Sequence, residues 1–480
     1  MSNQDFRGAC ATPARRLRVR ALASAVAASL SCWAAGASAQ SLGELYATAK
    51  AYDAAYQSAL AQAEATRYKT EQAYAARRLT VGMKGSLTRQ HFDSANDTNV
   101  APANTPISQL NAAQASALAA AQGGSFAVTN KNLALQAKQP LYNRVSSIAI
   151  EQAEEALKVT DTDLKIAEDD LLVRLTQAYF DVLGARDVQT TAQTNKKGFA
   201  EQLASAKRNF EVGNSTITDT REAQARFDLA TAQEIAADND LKVKSITLDQ
   251  LVGQSNLQPK SLITPINLPA LSPATADEWV AMTTTNSNVL KAQTALNVAQ
   301  LESSKARGEH FPTADLVASV TKNDVKGSAT AAVSSTNGTT ASIGVEVNVP
   351  LFTGFSTSNH IKETAALITK SERDLDNAKR SVSLATRQAF FGVQSGMAQV
   401  KALEAAEGSA KLALEATQLG YRVGVRVNKD VLDAQTALAN TQKDLYKARY
   451  DVIVGTMKLR QASGSLKTED LDTLNKLLSR

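Results

Sequence analysis

Asp430 and Asp433 stand three residues apart in a stretch with no proline after Pro350, so a helix there puts both carboxylates on one face. Taken alone, such a pair is a solvated helix surface. If several copies of the chain faced one narrow pore, the pair would become two stacked rings of carboxylates, an arrangement that favours cations. Lys429, next to Asp430, would weaken a ring that it faced. Other groups able to do chemistry are sparse. The three histidines, His91, His310 and His360, fall near predicted strands and junctions without the spacing of metal ligands. Both cysteines, Cys10 and Cys32, lie in the first 39 residues. No phosphate-binding loop, dinucleotide glycine motif or nucleophile elbow is present. The remaining carboxylates follow helical charge patterns and read as solvated faces. The reading is of no enzyme, with no catalytic residue, cofactor or metal site; what remains is the placement of charge.

The elements that must position these carboxylates occur twice. Pro140-Leu-Tyr142 aligns with Pro350-Leu-Phe352. With one inserted residue, Tyr179/Phe390, Phe180/Phe391, Phe210/Tyr421, Gly213/Gly424, Asp219/Asp430, Gln224/Gln435 and Gly253/Gly464 then fall in register. A duplication this long gives two structurally equivalent halves. No proline occurs between Pro140 and Pro259, which leaves each half a long stretch free of the strongest helix breaker. Leu157, Leu164, Leu171, Ala178 and Ala185 recur every seventh residue, as do Ile368, Leu375, Val382, Ala389 and Gly396, and then Leu438, Leu445, Val452 and Leu459. That spacing holds one stripe on a partner through a left-handed supercoil, so each half contains a long coiled-coil hairpin turning near Gly213 or Gly424. Aromatics make up only 5% of the chain and the apolar residues are largely alanine, which predicts close helix contact rather than a thick core. A helix from about Ser147 to Val212 would run on the order of 100 Å. The prediction is an elongated molecule whose alanine-rich faces are covered by further hairpins in an oligomer.

Between the helical blocks, Val81–Phe92, Ser125–Gln139, Thr313–Asn323 and Ala341–Phe352 show partial two-residue alternation, clearest in Val345, Val347, Val349 and Leu351. They read as four strands in two pairs, joined by polar loops around residues 93–124 and 324–340. Long loops at one end and helices at the other match a hairpin of an outer-membrane barrel. Four strands cannot close a barrel, and their bare edges would carry unsatisfied backbone groups in hydrocarbon, so other subunits must complete it. Two exposed hairpins in a soluble protein are the alternative on pattern alone.

Arg15, Arg16, Arg18 and Arg20, the apolar run Ala21–Gly36 and Ala37-Ser38-Ala39 together read as an export signal over residues 1–39. Lipidation at Cys32 is disfavoured because Ser29-Leu30-Ser31 is a poor lipidation box. Removing the signal takes the formal charge from +5 to about +1 and leaves no balance suited to nucleic acid. A first repeat then covers 40–254, with a helix, a strand pair at about 81–139 and a hairpin at about 143–254. A proline-rich connector follows at 255–275. The second repeat covers 276–466, with a helix, strands at about 313–352 and a hairpin at about 356–464, and a tail occupies 467–480.

Phe210-Glu-Val-Gly213 is followed by Asp219 and Glu222-Ala-Gln224. Gly420-Tyr-Arg-Val-Gly424 is followed by Arg426 and Asp430-Val-Leu-Asp433-Ala-Gln435. With Val349-Pro-Leu-Phe-Thr-Gly354, these segments resemble the TolC family of outer-membrane efflux and type I secretion channels, over Ser41 to about Leu466. The resemblance implies a mainly α fold with a β-barrel part. In it, a homotrimer pools four strands per protomer into one 12-stranded barrel in outer-membrane lipid, and the coiled-coil hairpins form a periplasmic α-barrel. It implies a passive, gated exit duct in a Gram-negative outer membrane. The implied partners are a periplasmic adaptor (membrane fusion) protein and an inner-membrane transporter of ABC, RND or MFS type, which supplies the energy. On the matching positions, Thr218, Asp219, Tyr421 and Arg426 would form a periplasmic gate. Asp430 and Asp433 would form a cation-selective constriction, and Gly213, Asn214, Gly424 and Val425 the tips on which the adaptor docks. Asn214, Val425, Lys429 and Phe355 depart from the family's usual residues. Without the resemblance, a non-channel periplasmic coiled-coil adaptor or scaffold would explain the hairpins and signal but not the four strands.

Overall fold

The computed structural model describes residues 41–94, 124–263, 271–327 and 336–478. The expected signal segment, most of the loop at 93–124 and parts of the connector and of the loop at 324–340 lie outside these residues. The described elements are α1 (Leu42–Tyr52), α2 (Ala54–Ala75), β1 (Thr80–Ser94), β2 (Gly124–Tyr142), α3 (Arg144–Glu211) and α4 (Ile217–Val252). They continue with α5 (Ala276–Met282), α6 (Ser287–Gly308), β3 (Thr313–Gly327), β4 (Thr336–Asn348), α7 (Ser356–Arg422), α8 (Asn428–Ser463) and α9 (Glu469–Asn475). Helices, a strand pair and a long hairpin thus follow one another twice. The outgoing helices α3 and α7 contain 68 and 67 residues, and each returning helix contains 36. The chain turns at Gly213 (φ 78°) and Gly424 (φ 83°), in the left-handed region where a Cβ is disfavoured.

Two compact units emerge, each drawing on both halves of the repeat. One holds the described residues within Met1–Gln57, Glu168–Met282 and Ala385–Arg480, and therefore both hairpin tips. Its predicted heptad positions Leu445, Val452 and Leu459 are buried with Trp279, Phe390 and Val393. Near the middle of α3, Arg174 holds Asp53 at the end of α1 by two hydrogen bonds of 3.1 and 3.0 Å. That guanidinium lowers the Asp53 carboxyl below the usual range, although burial opposes it. The second unit holds the sheet and a smaller stripe of Val289, Leu296, Leu375 and Val382.

The sheet runs β1-β2-β3-β4, antiparallel throughout. Its register sorts the side chains by chemistry. One row joins Val81, Ala137, Ala318 and Ile343, and the row two residues on joins Met83, Leu135, Val320 and Ala341. Val81, Met83, Leu135, Val320, Ile343 and Val345 stand exposed on this face. The opposite face carries rows such as Gly82, Gln136, Ser319 and Ser342, with the two serine hydroxyls 2.8 Å apart. Within one chain, β1 and β4 each pair on one side only. Among the described residues no helix is long and apolar enough to cross a membrane.

Strand ends differ from expectation, β2 running on to Tyr142, β3 to Gly327 and β4 starting at Thr336, and one end has a clear local cause. The alternation suggested a strand to Phe352, but β4 ends at Asn348. Pro350 lacks a ladder donor and restricts Val349 before it, so the pairing stops although the apolar pattern continues.

Candidate functional site at the hairpin tips

The first tip is closed by its own residues. Thr216 precedes α4 as its N-cap and accepts from the Asp219 N–H at 3.2 Å, while the Asp219 carboxylate accepts from the Thr216 N–H at 3.1 Å. This reciprocal box satisfies donors that a helix start otherwise leaves open. The Ser215 and Thr216 hydroxyls also donate to Asp219, at 2.8 and 2.9 Å. Burial pushes the Asp219 carboxyl up, but the Thr216 N–H and the two hydroxyls outweigh it and leave the group below the usual carboxylate range. Thr218, Gly213 and Asn214 are exposed.

The second tip is built differently. Val427 occupies the N-cap position of α8 and offers no side-chain hydrogen bond. Gly424 and Val425 are exposed, and Val423, Val425 and Val427 present open aliphatic surface. Arg426 reaches Asp430 one turn on, at 3.5 Å. Lys429, beside Asp430 in sequence, places its ammonium 2.5 Å from Asp433. The other Asp433 oxygen accepts from Arg226 of α4 at 2.7 Å. Lys429 is the main cause holding the Asp433 carboxyl below its ordinary range, with Arg226 adding to it.

Three further contacts cross between the hairpins. The Asn209 amide donates to the Tyr421 hydroxyl at 3.2 Å, and the Gln435 amide donates to the Asn195 carbonyl at 3.0 Å. Gly198 makes room for Gln435, since a Cβ there would stand 1.9 Å from the amide nitrogen. Leu432, with 0% exposure, enters a cluster of Phe199, Leu203, Ala206, Ala223 and Ala230 from the first hairpin. Helix α8 is therefore seated on α3 and α4 by apolar burial, and the polar contacts fix its register.

Of the four expected gate residues, the single chain ties only Tyr421 across to the other hairpin. Asp219 and Arg426 are each satisfied within their own hairpin and do not pair with one another. Asp430 and Asp433 share one face as predicted, and both are engaged by cations. Sequence reasoning missed Asn209, Leu432 and Arg226. A signal existed for Arg226, because the repeat aligns it with Ala437, a charge present in one copy and absent from the other.

Comparison with known proteins agrees with this construction. The chain is 32% identical to the outer membrane protein TolC of Vibrio cholerae over 338 residues, covering 70% of this chain and 77% of that protein. It is also 32% identical to the alkaline protease secretion protein AprF of Pseudomonas aeruginosa over 343 residues, 70% of each. The solved structure of the outer membrane protein VceC from Vibrio cholerae shares the fold, with a TM-score of 0.69 at 17% identity over 88% of this chain and 96% of that one. The family described as outer membrane efflux protein matches residues 45–254 and 282–465, both repeats with their tips. With so much of its length inside that match, the chain belongs to the outer membrane efflux protein family.

Proposed function

We propose that this outer-membrane exit duct for efflux or type I secretion is a homotrimer gated at its hairpin tips. The observation that carries the trimer is the sheet: four strands, apolar on one face and polar on the other, with an open edge at β1 and at β4. An open edge is untenable in hydrocarbon, and three copies of four strands would close one barrel, apolar face to lipid and polar face to a channel. An export signal at 1–39 delivers the chain to the periplasm.

Transport energy comes from the inner-membrane transporter, of ABC, RND or MFS type, and a periplasmic adaptor docks on Gly213, Asn214, Gly424 and Val425. Exposed Val423 and Val427 beside them supply apolar contact for that docking. Thr218, Asp219, Tyr421 and Arg426 form the gate, and Asp430 with Asp433 the acidic constriction. Contacts of this exposed kind are worth roughly 0.2 to 1 kcal/mol each, enough in a few copies to hold a gate that a docking partner can open.

Planar-bilayer recording of the purified protein tests the reading. A small, steady conductance is expected, rising when Tyr421→Phe and Arg426→Ala are combined. A protein that never conducts would refute the duct, whereas a conducting protein indifferent to these changes would refute the gate alone.

A further inference from the structure

We infer that Arg226 is a specificity-determining residue of the constriction, acting with Lys429 to cancel the charge that Asp433 would otherwise place there. The inference rests on the reading of the tips as the constriction of a duct. The two Asp433 oxygens are held by different cations, Oδ1 by Arg226 at 2.7 Å and Oδ2 by Lys429 at 2.5 Å. These cations come from opposite hairpins of one chain, α4 and α8. Asp430 is matched in turn by Arg426. The five groups Arg226, Arg426, Lys429, Asp430 and Asp433 therefore sum to a single positive charge per chain.

A bare pair of carboxylates repeated around a pore concentrates cations. The same carboxylates with a guanidinium and an ammonium fixed against them present little net negative field beyond the Debye length of about 8 to 10 Å. Arg226 is suited to this role because its planar guanidinium presents a rigid fork of donors that matches a carboxylate. Glu222 lies one turn before Arg226 on α4, and counting its carboxylate brings the sum of these charges to zero. The tips should accordingly pass anionic and neutral solutes that an uncompensated carboxylate ring would hold back.

The test is the reversal potential of the full-length channel in a bilayer under a potassium chloride gradient. Arg226→Gln should raise the potassium-to-chloride permeability ratio about threefold, while Arg226→Lys, which keeps the charge, should stay near the parent value. Lys429→Gln, at an exposed position where folding is not at risk, should shift the ratio in the same direction. Asp433→Asn should shift it the opposite way, toward chloride. Conducting channels with unchanged reversal potentials in both Arg226→Gln and Lys429→Gln would overturn the inference and leave the duct intact. A parent protein without conductance would sink the duct and this inference together.

Discussion

The two hairpin tips descend from one repeated unit and end in the same left-handed glycine, yet they satisfy their helix starts by opposite means. At the first, Thr216 and Asp219 cap α4 from within, and neutral donors surround the carboxylate. At the second, Val427 gives α8 no side-chain cap, and the acidic groups turn to Arg426, Lys429 and Arg226. The first tip is stabilised by its own turn. The second is stabilised by what it lies on, through Leu432, Gln435, Tyr421 and Asp433. A tip held by a neighbour can be released without unfolding its own helix, which is the property a moving gate needs.

The largest effect expected from breaking this contrast is at Leu432. Leu432→Ala removes the fully buried anchor of α8 and should cost about 2 to 5 kcal/mol, seen as a lowered melting temperature of the detergent-extracted protein. Leu432→Met, which keeps the volume, should cost less than about 1.5 kcal/mol. Equal losses in the two variants would show that α8 is not seated by packing at that point.

Capping gives the next effect, with opposite signs at the two tips. Thr216→Ala should destabilise by about 1 kcal/mol, whereas Val427→Ser should stabilise by up to about 1 kcal/mol by adding the cap that α8 lacks. Denaturant titration separates them. A loss of stability at both positions would mean that Val427 contributes packing the structure does not reveal.

A double-mutant cycle between Arg226→Ala and Asp433→Ala should give a coupling of about 0.5 to 1 kcal/mol, modest because both groups are part-exposed. The same cycle between Asp219 and Arg426 should give none within a chain. A coupling there would locate their meeting between protomers.

Acidification offers the smallest and most discriminating test. Asp219 and Asp433 both titrate below their usual range in the folded protein. The stability they contribute is thus fully present above the unfolded carboxylate value of about 3.9 and is lost as pH falls through the depressed folded values. Salt should distinguish them, because the partners of Asp433 are charged and those of Asp219 are not. Melting curves of Asp219→Asn and Asp433→Asn against the parent protein, across falling pH at low and high salt, should show a salt-sensitive contribution only for Asp433.

Much of this was legible in the chain. Leu445, Val452 and Leu459 could be placed in a helical seam from their spacing alone, and Gly213 and Gly424 marked the turns because few other residues tolerate that backbone. The capping box was also written locally, as Thr216-Ile-Thr-Asp219. Strand ends were less certain, since the alternation through Val349 and Leu351 passes across Pro350 without registering the missing donor. Lys429 reads in the chain only as a charge beside Asp430 that would weaken a ring it faced, and that reading leaves out its i,i+4 place on the helix relative to Asp433.

The sequence by itself determined the duplication, the long helices, the four strands and the glycine turns, because each follows from periodicity or backbone sterics within a few residues. Only the tertiary structure decided that α8 rests on α3 and α4, and so which cation meets which carboxylate. Arg226 and Asp433 lie 207 residues apart, and no local rule couples them. Their meeting depends on how two helices cross, which is set by the burial of Leu432 and the room left at Gly198.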